Sequence, residues 1–159
     1  MPIRKANLKD VESVVLLWKE FMRENNSFKS KEVLKVDQFN NDASNLFRKF
    51  VINNIKSKNS VVLVAEEKSK IVGFIQAQIK DNLKVYKVKK IGHISDLFVK
   101  RNYRKRNMSS VLKNFAFKWF KSKKIKYVSL QTEIRNKLAH KIYEKWGFFE
   151  HNLTLYKKL

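Results

Sequence analysis

The chain has 159 residues, of which 43% are apolar, and 36 Lys or Arg against 14 Asp or Glu give it a formal charge of +22. This is the length of one ordinary domain, so we expect a single domain over residues 1–159. The absence of cysteine excludes disulfides, thiolate metal ligands and a cysteine nucleophile. Apolar runs fall short of the ~20 residues that span a bilayer, and the N-terminus lacks the pattern of a signal or transit peptide. We therefore expect a cytoplasmic protein.

Two amphipathic helices are predicted in the first third of the chain. Asn7 and Asp10 are the predicted cap of the first helix, whose apolar residues recur every three or four positions. These residues are Val11, Val14, Val15, Trp18 and Met22. Residues 24–36 are predicted to form a loop, and Asp37 is the predicted cap of a second helix that ends near Asn53. Its apolar face is formed by Phe39, Ala43, Leu46, Phe47 and Phe50.

The pattern then changes to that of β-strands. Residues 60–67 and 71–79 are rich in β-branched and apolar residues, and a polar turn between them predicts an antiparallel hairpin. Residues 91–99 form the next predicted strand. Side chains alternate between the two faces of a regular strand, which predicts one face made of four residues and an opposite face made of three. The first face would hold His93, Ser95, Leu97 and Val99, and the second Ile94, Asp96 and Phe98.

The last third of the chain returns to helical spacing. An amphipathic helix begins at Met108, a strand follows at 126–132, and a second helix runs from Asn136 to Trp146. Residues 148–159 are predicted to contain one or two short strands. The resulting order, βααβββαβα followed by β, predicts an α/β fold with a mixed central sheet flanked by helices.

The order of elements between Asp96 and Phe148 points to a cofactor site. A helix that begins directly after a strand offers unpaired N–H groups and the positive end of its dipole to a phosphate. The following helix carries the pattern NxxAxxxYxxxGF, formed by Asn136, Ala139, Tyr143, Gly147 and Phe148. This order resembles that of the GNAT family of acetyl-CoA-dependent N-acetyltransferases over about residues 3–155. The resemblance implies a GNAT-like fold, acetyl-CoA as cofactor and transfer of an acetyl group to an amine.

The loop before the helix departs from the family pattern Q/RxxGxG/A, because Asn107 and Ser109 replace both glycines. Asn tolerates left-handed backbone angles better than most residues, and Ser is small. The resemblance implies that this loop wraps the pyrophosphate, with three cations compensating for the lost glycines. The residues in question are Arg104, Lys105, Arg106, Asn107, Met108, Ser109 and Ser110. An ordinary solvated basic turn is the alternative.

The resemblance also implies contacts with the rest of the cofactor. The backbone of Leu97, Phe98 and Val99 would pair with the pantetheine arm, Asn136 would hydrogen-bond that arm, and Lys145 would reach the nucleotide phosphates.

Two residues are candidates for proton transfer. The resemblance places Tyr143 where a phenol donates a proton to the departing thiolate, whereas the alternative is an aromatic residue that only packs. His93 aligns with the glutamate base of histone-acetylating relatives, and imidazole can accept a proton from an amine at neutral pH. The alternative is a half-buried strand histidine bonded to a neighbour.

Positive charge exceeds what one cofactor requires. Residues 80–126 contain 16 Lys or Arg and two acids, whereas coenzyme A brings only about four negative charges. The surplus would attract nucleic acid, an acidic protein, a ribosome surface or an acidic membrane, or it reflects composition alone. A non-catalytic basic module that binds nucleic acid or another anionic partner is therefore the second functional hypothesis.

The sequence leaves the acceptor open among a protein lysine, a protein N-terminus and a small amine. The resemblance places the acceptor groove at about residues 18–39 and 149–156, where carboxylates either orient a cationic amine or only solubilise the chain. They are Glu20, Glu24, Glu32, Asp37 and Glu150. His140 and His151 lack metal-ligand spacing, so no metal is expected. A monomer or homodimer is expected.

Overall fold

The computed structural model describes residues 2–159, which form five strands and five α-helices. The strands are β1 (Ile3–Lys5), β2 (Ser60–Glu67), β3 (Lys70–Asp81), β4 (Lys90–Val99) and β5 (Val128–Leu130). The helices are α1 (Val11–Asn26), α2 (Lys31–Val36), α3 (Ala43–Lys56), α4 (Met108–Ser122) and α5 (Lys137–Lys145). No helix in the part of the chain that the structure describes is both long and apolar enough to cross a bilayer.

The strands form one mixed sheet in the order β1-β2-β3-β4-β5. The first four strands are antiparallel to their neighbours, and β5 is parallel to β4. The β2–β3 hairpin turns at Lys68 and Ser69, which have φ angles of 47° and 61°. Positive φ at both central residues is what a tight hairpin turn requires. The predicted α/β architecture with a mixed sheet is confirmed.

Helices cover both faces of this sheet. On one face α4 packs Leu112, Ala116 and Phe120 against β2, β3 and β4. On the other, α1 and α3 form a second buried cluster with β2, β3 and β4. Gly92 allows the close approach of α4, because a Cβ atom there would lie 2.6 Å from the Phe120 ring. The two clusters hold β4 firmly, and the candidate site lies along this strand.

The N-terminal helices agree with the sequence only in part. Asn7 and Asp10 form the predicted capping box before α1. The loop prediction for 24–36 is wrong, because α1 continues to Asn26 and the Ser30 hydroxyl caps the additional helix α2 by accepting from the Val33 N–H.

The predicted cap of the second long helix is also wrong. Asp37 ends α2, and Asp42 precedes α3, which continues three residues beyond Asn53 to Lys56. Residues 31–36, which were expected to lie in the loop before this helix, form the short helix α2 instead.

The C-terminal strands predicted within residues 148–159 are not formed; all of these residues lie in the described range. The predicted strand 126–132 is itself reduced to three residues, Val128–Leu130. A ladder needs an edge of several residues on which to pair, and β5 offers too short an edge for a further strand. Residues 149–159 are accordingly exposed.

Candidate active site

A β-bulge interrupts β4 near its centre. Gln76 of β3 lies opposite Asp96, but Ala77 lies opposite Ile94, so Ser95 has no opposite residue. The extra residue changes the alternation, and Ile94 joins the core beneath α4 whereas Phe98 joins the core beneath α1 and α3. The predicted assignment of β4 side chains to faces is therefore wrong, because it assumed an uninterrupted strand.

Beyond the bulge, β4 and β5 separate. Among residues 2–159, β5 pairs only with Gly92–Ile94, which leaves the rest of β4 with one free edge. The Lys100 N–H donates to the Val72 carbonyl at 2.9 Å. Since hydrogen-bonding direction alternates along an antiparallel ladder, the backbone groups of Leu97 and Val99 face the free edge. Two of the three residues predicted to pair with the pantetheine arm thus present backbone groups to an opening.

The start of α4 lies just past this free edge. Asn107 has φ 57° and ψ 13°, the left-handed conformation for which the family pattern uses glycine. Its side chain makes no capping hydrogen bond. The Val111 N–H donates to the Asn107 carbonyl at 3.1 Å, so the N–H groups of Met108, Ser109 and Ser110 precede this bond and are available to an anion.

The three cations of the loop before α4 differ in how many contacts they make with the rest of the protein. Arg104 donates to the Val99 carbonyl and to Glu24, both at 2.7 Å. Arg106 lies 3.6 Å from Glu67. Lys105 has no ion pair within residues 2–159. Arg104 ties the loop to β4 and α1, and the contacts of the three cations with a pyrophosphate remain predictions.

His93 lies in the last paired section before the strands separate. Its Nδ1 is 3.0 Å from Ser129 Oγ, which donates to the Gly92 carbonyl at 3.3 Å. A hydroxyl that donates to a carbonyl accepts from the ring, so the free lone pair of His93 lies on Nε2. Burial, with a smaller effect of Lys80, lowers the pKa of His93 to about 4. The imidazole is consequently neutral at pH 7.

Asp96 is a buried titratable residue to which the sequence analysis assigned no role. It accepts from Gln76 Nε2 at 2.9 Å, and Gln76 Oε1 accepts from Asn54 Nδ2 at 3.1 Å. Burial raises the pKa of Asp96, an effect that the neighbouring Ser95 side chain and the bond from Gln76 oppose. The signal in the sequence was an acid among the apolar residues of a strand, with glutamines on the preceding strand.

Ser95, the bulged residue, adds a second unusual group. Its Oγ is buried and lacks a hydrogen-bond partner among residues 2–159. A buried hydroxyl without a partner is rare in native proteins, and here it lies where the two strands separate.

The helix α5 carries the other predicted residues. Asn136 Oδ1 caps the helix by accepting from the Ala139 N–H at 3.1 Å, which leaves its Nδ2 for another acceptor. The Tyr143 ring lies 5.6 Å from Trp146 and 5.9 Å from Phe148. Burial raises the pKa of Tyr143, so the phenol is protonated at neutral pH. Lys145 is exposed at the end of the helix.

Aromatic contacts attach α5 to α4. The Phe148 ring lies 6.1 Å from Phe117, and Lys113 Nζ lies 5.1 Å from the rings of both Phe117 and Trp146. The Tyr143 ring thus packs against neighbouring aromatic rings, as the alternative interpretation predicted. These ring contacts do not prevent its hydroxyl from donating a proton.

Most carboxylates considered for the acceptor groove are already paired with the chain's own cations. These pairs are Glu20 with Lys100, Glu24 with Arg104 and Asp37 with Lys29 at distances of 2.7 to 3.2 Å, and Glu150 lies 3.8 Å from the His140 ring. A cationic acceptor would have to compete with these contacts.

Sequence comparisons relate this chain to known acetyltransferases. Residues 17–148 match the family model described as the acetyltransferase (GNAT) family. An uncharacterized N-acetyltransferase of Bacillus subtilis, YhfO, is 26% identical over 153 residues, which cover 94% of this chain and 91% of the relative.

Solved structures show the same fold. A predicted acetyltransferase from Clostridium acetobutylicum, crystallised with acetyl-CoA, superposes with a TM-score of 0.80 at 19% identity, covering 99% of this chain and 95% of that one. AAC(6')-Iy in complex with a bisubstrate analog gives a TM-score of 0.75 at 18% identity, with 99% and 97% covered. The family model spans most of the chain, and the chain belongs to the GNAT family of acetyltransferases.

Proposed function

We propose that this protein transfers the acetyl group of acetyl-CoA to a primary amine by direct attack of the amine nitrogen on the thioester. The observation that carries the proposal is the free edge of β4 at Leu97 and Val99, next to the α4 N-terminus that follows the left-handed Asn107. Structures of similar fold have acetyl-CoA or CoA bound.

The residues present fit this cofactor. The N–H and carbonyl of Leu97 and the N–H of Val99 match an arm that contains amides, whereas the Val99 carbonyl already accepts from Arg104. The first N–H groups of α4 match a pyrophosphate. When bound there, acetyl-CoA supplies an activated acetyl group on a thiol leaving group.

His93 is proposed to accept a proton from the amine. A primary ammonium group has a pKa near ~10.4 and must lose a proton before its nitrogen can attack. His93 offers the Nε2 lone pair and is neutral at pH 7 because its pKa is lowered to about 4. So low a pKa makes it a weak base, and we expect turnover to increase with pH as the fraction of free amine increases.

Tyr143 is proposed to donate a proton to the departing sulfur. A thiol has a pKa near ~8.5, so protonation makes it a better leaving group at neutral pH. Burial raises the pKa of Tyr143 and keeps the phenol protonated over the working pH range. Asn136 Nδ2 and Lys145 are proposed to hold the arm and the nucleotide phosphates.

The charge of the chain restricts the acceptor. A net charge of +22 repels polycationic amines, and most groove carboxylates are paired internally. We propose an acceptor that presents one amine on an otherwise neutral or acidic molecule, such as an acidic peptide. A panel of amines that differ in net charge, with thiol release as the readout, tests this preference; faster turnover of polycationic amines would contradict it.

The cofactor site is tested by acetyl-CoA-dependent thermal stabilisation. A carboxylate introduced by Ser109→Glu in the first turn of α4 is compatible with the helix dipole but repels a pyrophosphate. We expect acetyl-CoA to raise the Tm of the parent and not that of this variant. Ser44→Glu makes the same change in the first turn of α3 and should leave the effect intact. An equal rise in Ser109→Glu would contradict the assignment, and binding without thiol release with any amine would favour a non-catalytic module.

A further inference from the structure

One end of the sheet carries a dense cluster of exposed lysines, which we call the basic end. It consists of the α3–β2 turn (56–59), the β3–β4 hairpin (80–90) and the segment after Phe120 (121–127). Backbone hydrogen bonds bring the three segments together, because the Ile79 N–H donates to the Asn59 carbonyl at 2.8 Å and the Gly92 N–H donates to the Tyr127 carbonyl at 2.9 Å.

The basic end has eleven lysines, all exposed, and its only acid is Asp81, which lies 3.2 Å from Lys90. The lysines are Lys56, Lys58, Lys80, Lys84, Lys87, Lys89, Lys90, Lys121, Lys123, Lys124 and Lys126. Along β4 this end lies about 30 Å from the cofactor loop, at ~3.3 Å per residue. The charge is therefore too distant to serve the pyrophosphate.

Apolar side chains project from the tip of the hairpin at this end. Leu83, Val85 and Tyr86 are 64%, 84% and 54% exposed. The tip is held in shape by its own bonds, since the Tyr86 N–H donates to the Leu83 carbonyl at 3.0 Å and Lys89 Nζ donates to the Lys84 carbonyl at 2.8 Å. A lysine-rich composition accounts for the charge but not for an ordered apolar tip in its centre.

We propose that the basic end binds the surface of an anionic lipid bilayer, with Leu83, Val85 and Tyr86 inserted among the headgroups and the surrounding lysines facing the lipid phosphates. Nucleic acid would also attract the lysines and stack a base on Tyr86, but it accepts aliphatic side chains such as Leu83 and Val85 only where its bases unstack, which costs free energy. An anionic bilayer interacts favourably with both the lysines and the apolar tip, since its charged surface attracts lysines and its interface accepts apolar side chains. Because the cofactor loop lies at the opposite end, bound protein would keep its acetyl-CoA site facing water.

The test is co-sedimentation with vesicles of phosphatidylcholine alone or with about 30% phosphatidylserine. We expect binding to the anionic vesicles at least tenfold tighter than to the neutral ones, with a loss as salt is raised because charge attraction is screened over about 10 Å at 0.1 M. Leu83→Ser with Val85→Ser leaves the charge unchanged and should weaken binding about tenfold. Lys84→Gln with Lys87→Gln should weaken it by a similar factor.

Leu16→Ser with Leu46→Ser is the control, because these leucines are also exposed, at 60% and 50%, and lie outside the basic end. It should bind vesicles like the parent. Retained acetyl-CoA stabilisation would show that the tip variants are folded. Equal binding by the parent and the serine tip variant, or tight binding of single-stranded RNA without binding of anionic vesicles, would overturn the proposal.

Discussion

The two ends of the chain differ sharply in how much core they have. Residues up to Phe120 contain every buried residue of the described range, and both faces of β2, β3 and β4 are covered by helices. Residues 121–159, which form β5, α5 and the exposed C-terminal segment, contain only exposed and half-buried residues, with Tyr143 among the half-buried ones. The first region is a rigid scaffold, whereas the second is held by a three-residue strand and a few aromatic contacts.

This difference separates the two halves of the proposed chemistry. The free edge of β4, His93 and the α4 N-terminus belong to the scaffold and are positioned before any ligand binds. Tyr143 and Asn136 belong to the second region, where local stability is low because little apolar surface is buried. We expect ligand binding to stabilise α5 more than the scaffold.

The largest expected effect comes from truncating a core side chain of the scaffold. Phe120→Ala removes a ring that is 1% exposed and packs on Gly92, and should lower the free energy of unfolding by about 3–5 kcal/mol. Leu138→Ala in α5 should change it by less than about 0.5 kcal/mol, because that side chain is 69% exposed. Urea denaturation measures both; similar losses would show that α5 is part of the core.

Removing the Tyr143 hydroxyl tests whether the weakly packed region takes part in catalysis. Tyr143→Phe keeps the ring contacts with Trp146 and Phe148 and should lower kcat about 100-fold, since proton donation to the sulfur is lost. Steady-state thiol release measures the change, with the exposed Tyr127→Phe as control. Turnover within about twofold of the parent, roughly 0.4 kcal/mol of barrier, would remove Tyr143 from the mechanism.

Acid should destabilise the scaffold through His93. Its pKa of about 4 in the folded protein is below the usual ~6.5 of the unfolded chain, so the stability that neutral His93 contributes is complete above pH 6.5 and is lost as pH falls toward 4. In His93→Gln the decrease in Tm between pH 6.5 and 4 should be smaller by about 3 °C, or about 1 kcal/mol after allowance for the solvent that reaches the ring. Identical decreases in both proteins would contradict the lowered pKa.

The smallest effect concerns the left-handed residue before α4. Asn107→Gly should stabilise the protein by about 0.5 kcal/mol, since glycine adopts positive φ without steric cost. Asn114→Gly, in the interior of the same helix, should destabilise it by a few tenths of a kcal/mol. Thermal denaturation shows whether each variant gains or loses stability. A loss in Asn107→Gly would show that contacts of the Asn107 side chain stabilise the protein by more than its left-handed backbone angle destabilises it.

Local patterns in the sequence predicted much of the scaffold. The capping box at Asn7 and Asp10, the hairpin turn at Lys68 and Ser69, and the helix beginning at Met108 were all predicted from residues close together in the chain. Turn chemistry, capping and periodicity act over a few residues, which is why a sequence reveals them. The left-handed backbone angle of Asn107 was likewise predictable from the residue type alone.

The tertiary structure decided the features that depend on distant partners. The bulge at Ser95 arises from the register between β3 and β4. It places Asp96 against Gln76, 20 positions earlier in the chain, and Gln76 in turn bonds to Asn54. The separation of β4 from β5 and the capture of Arg104 by Glu24 likewise require elements that meet only after folding. The sequence by itself determined the charge, the capping box before α1 and the order of elements from β2 to α5, since these follow from neighbouring residues. Strand register and helix packing decided which backbone groups stay unpaired, and therefore where we propose that the cofactor binds, because hydrogen bonds between strands join residues that are far apart in the chain.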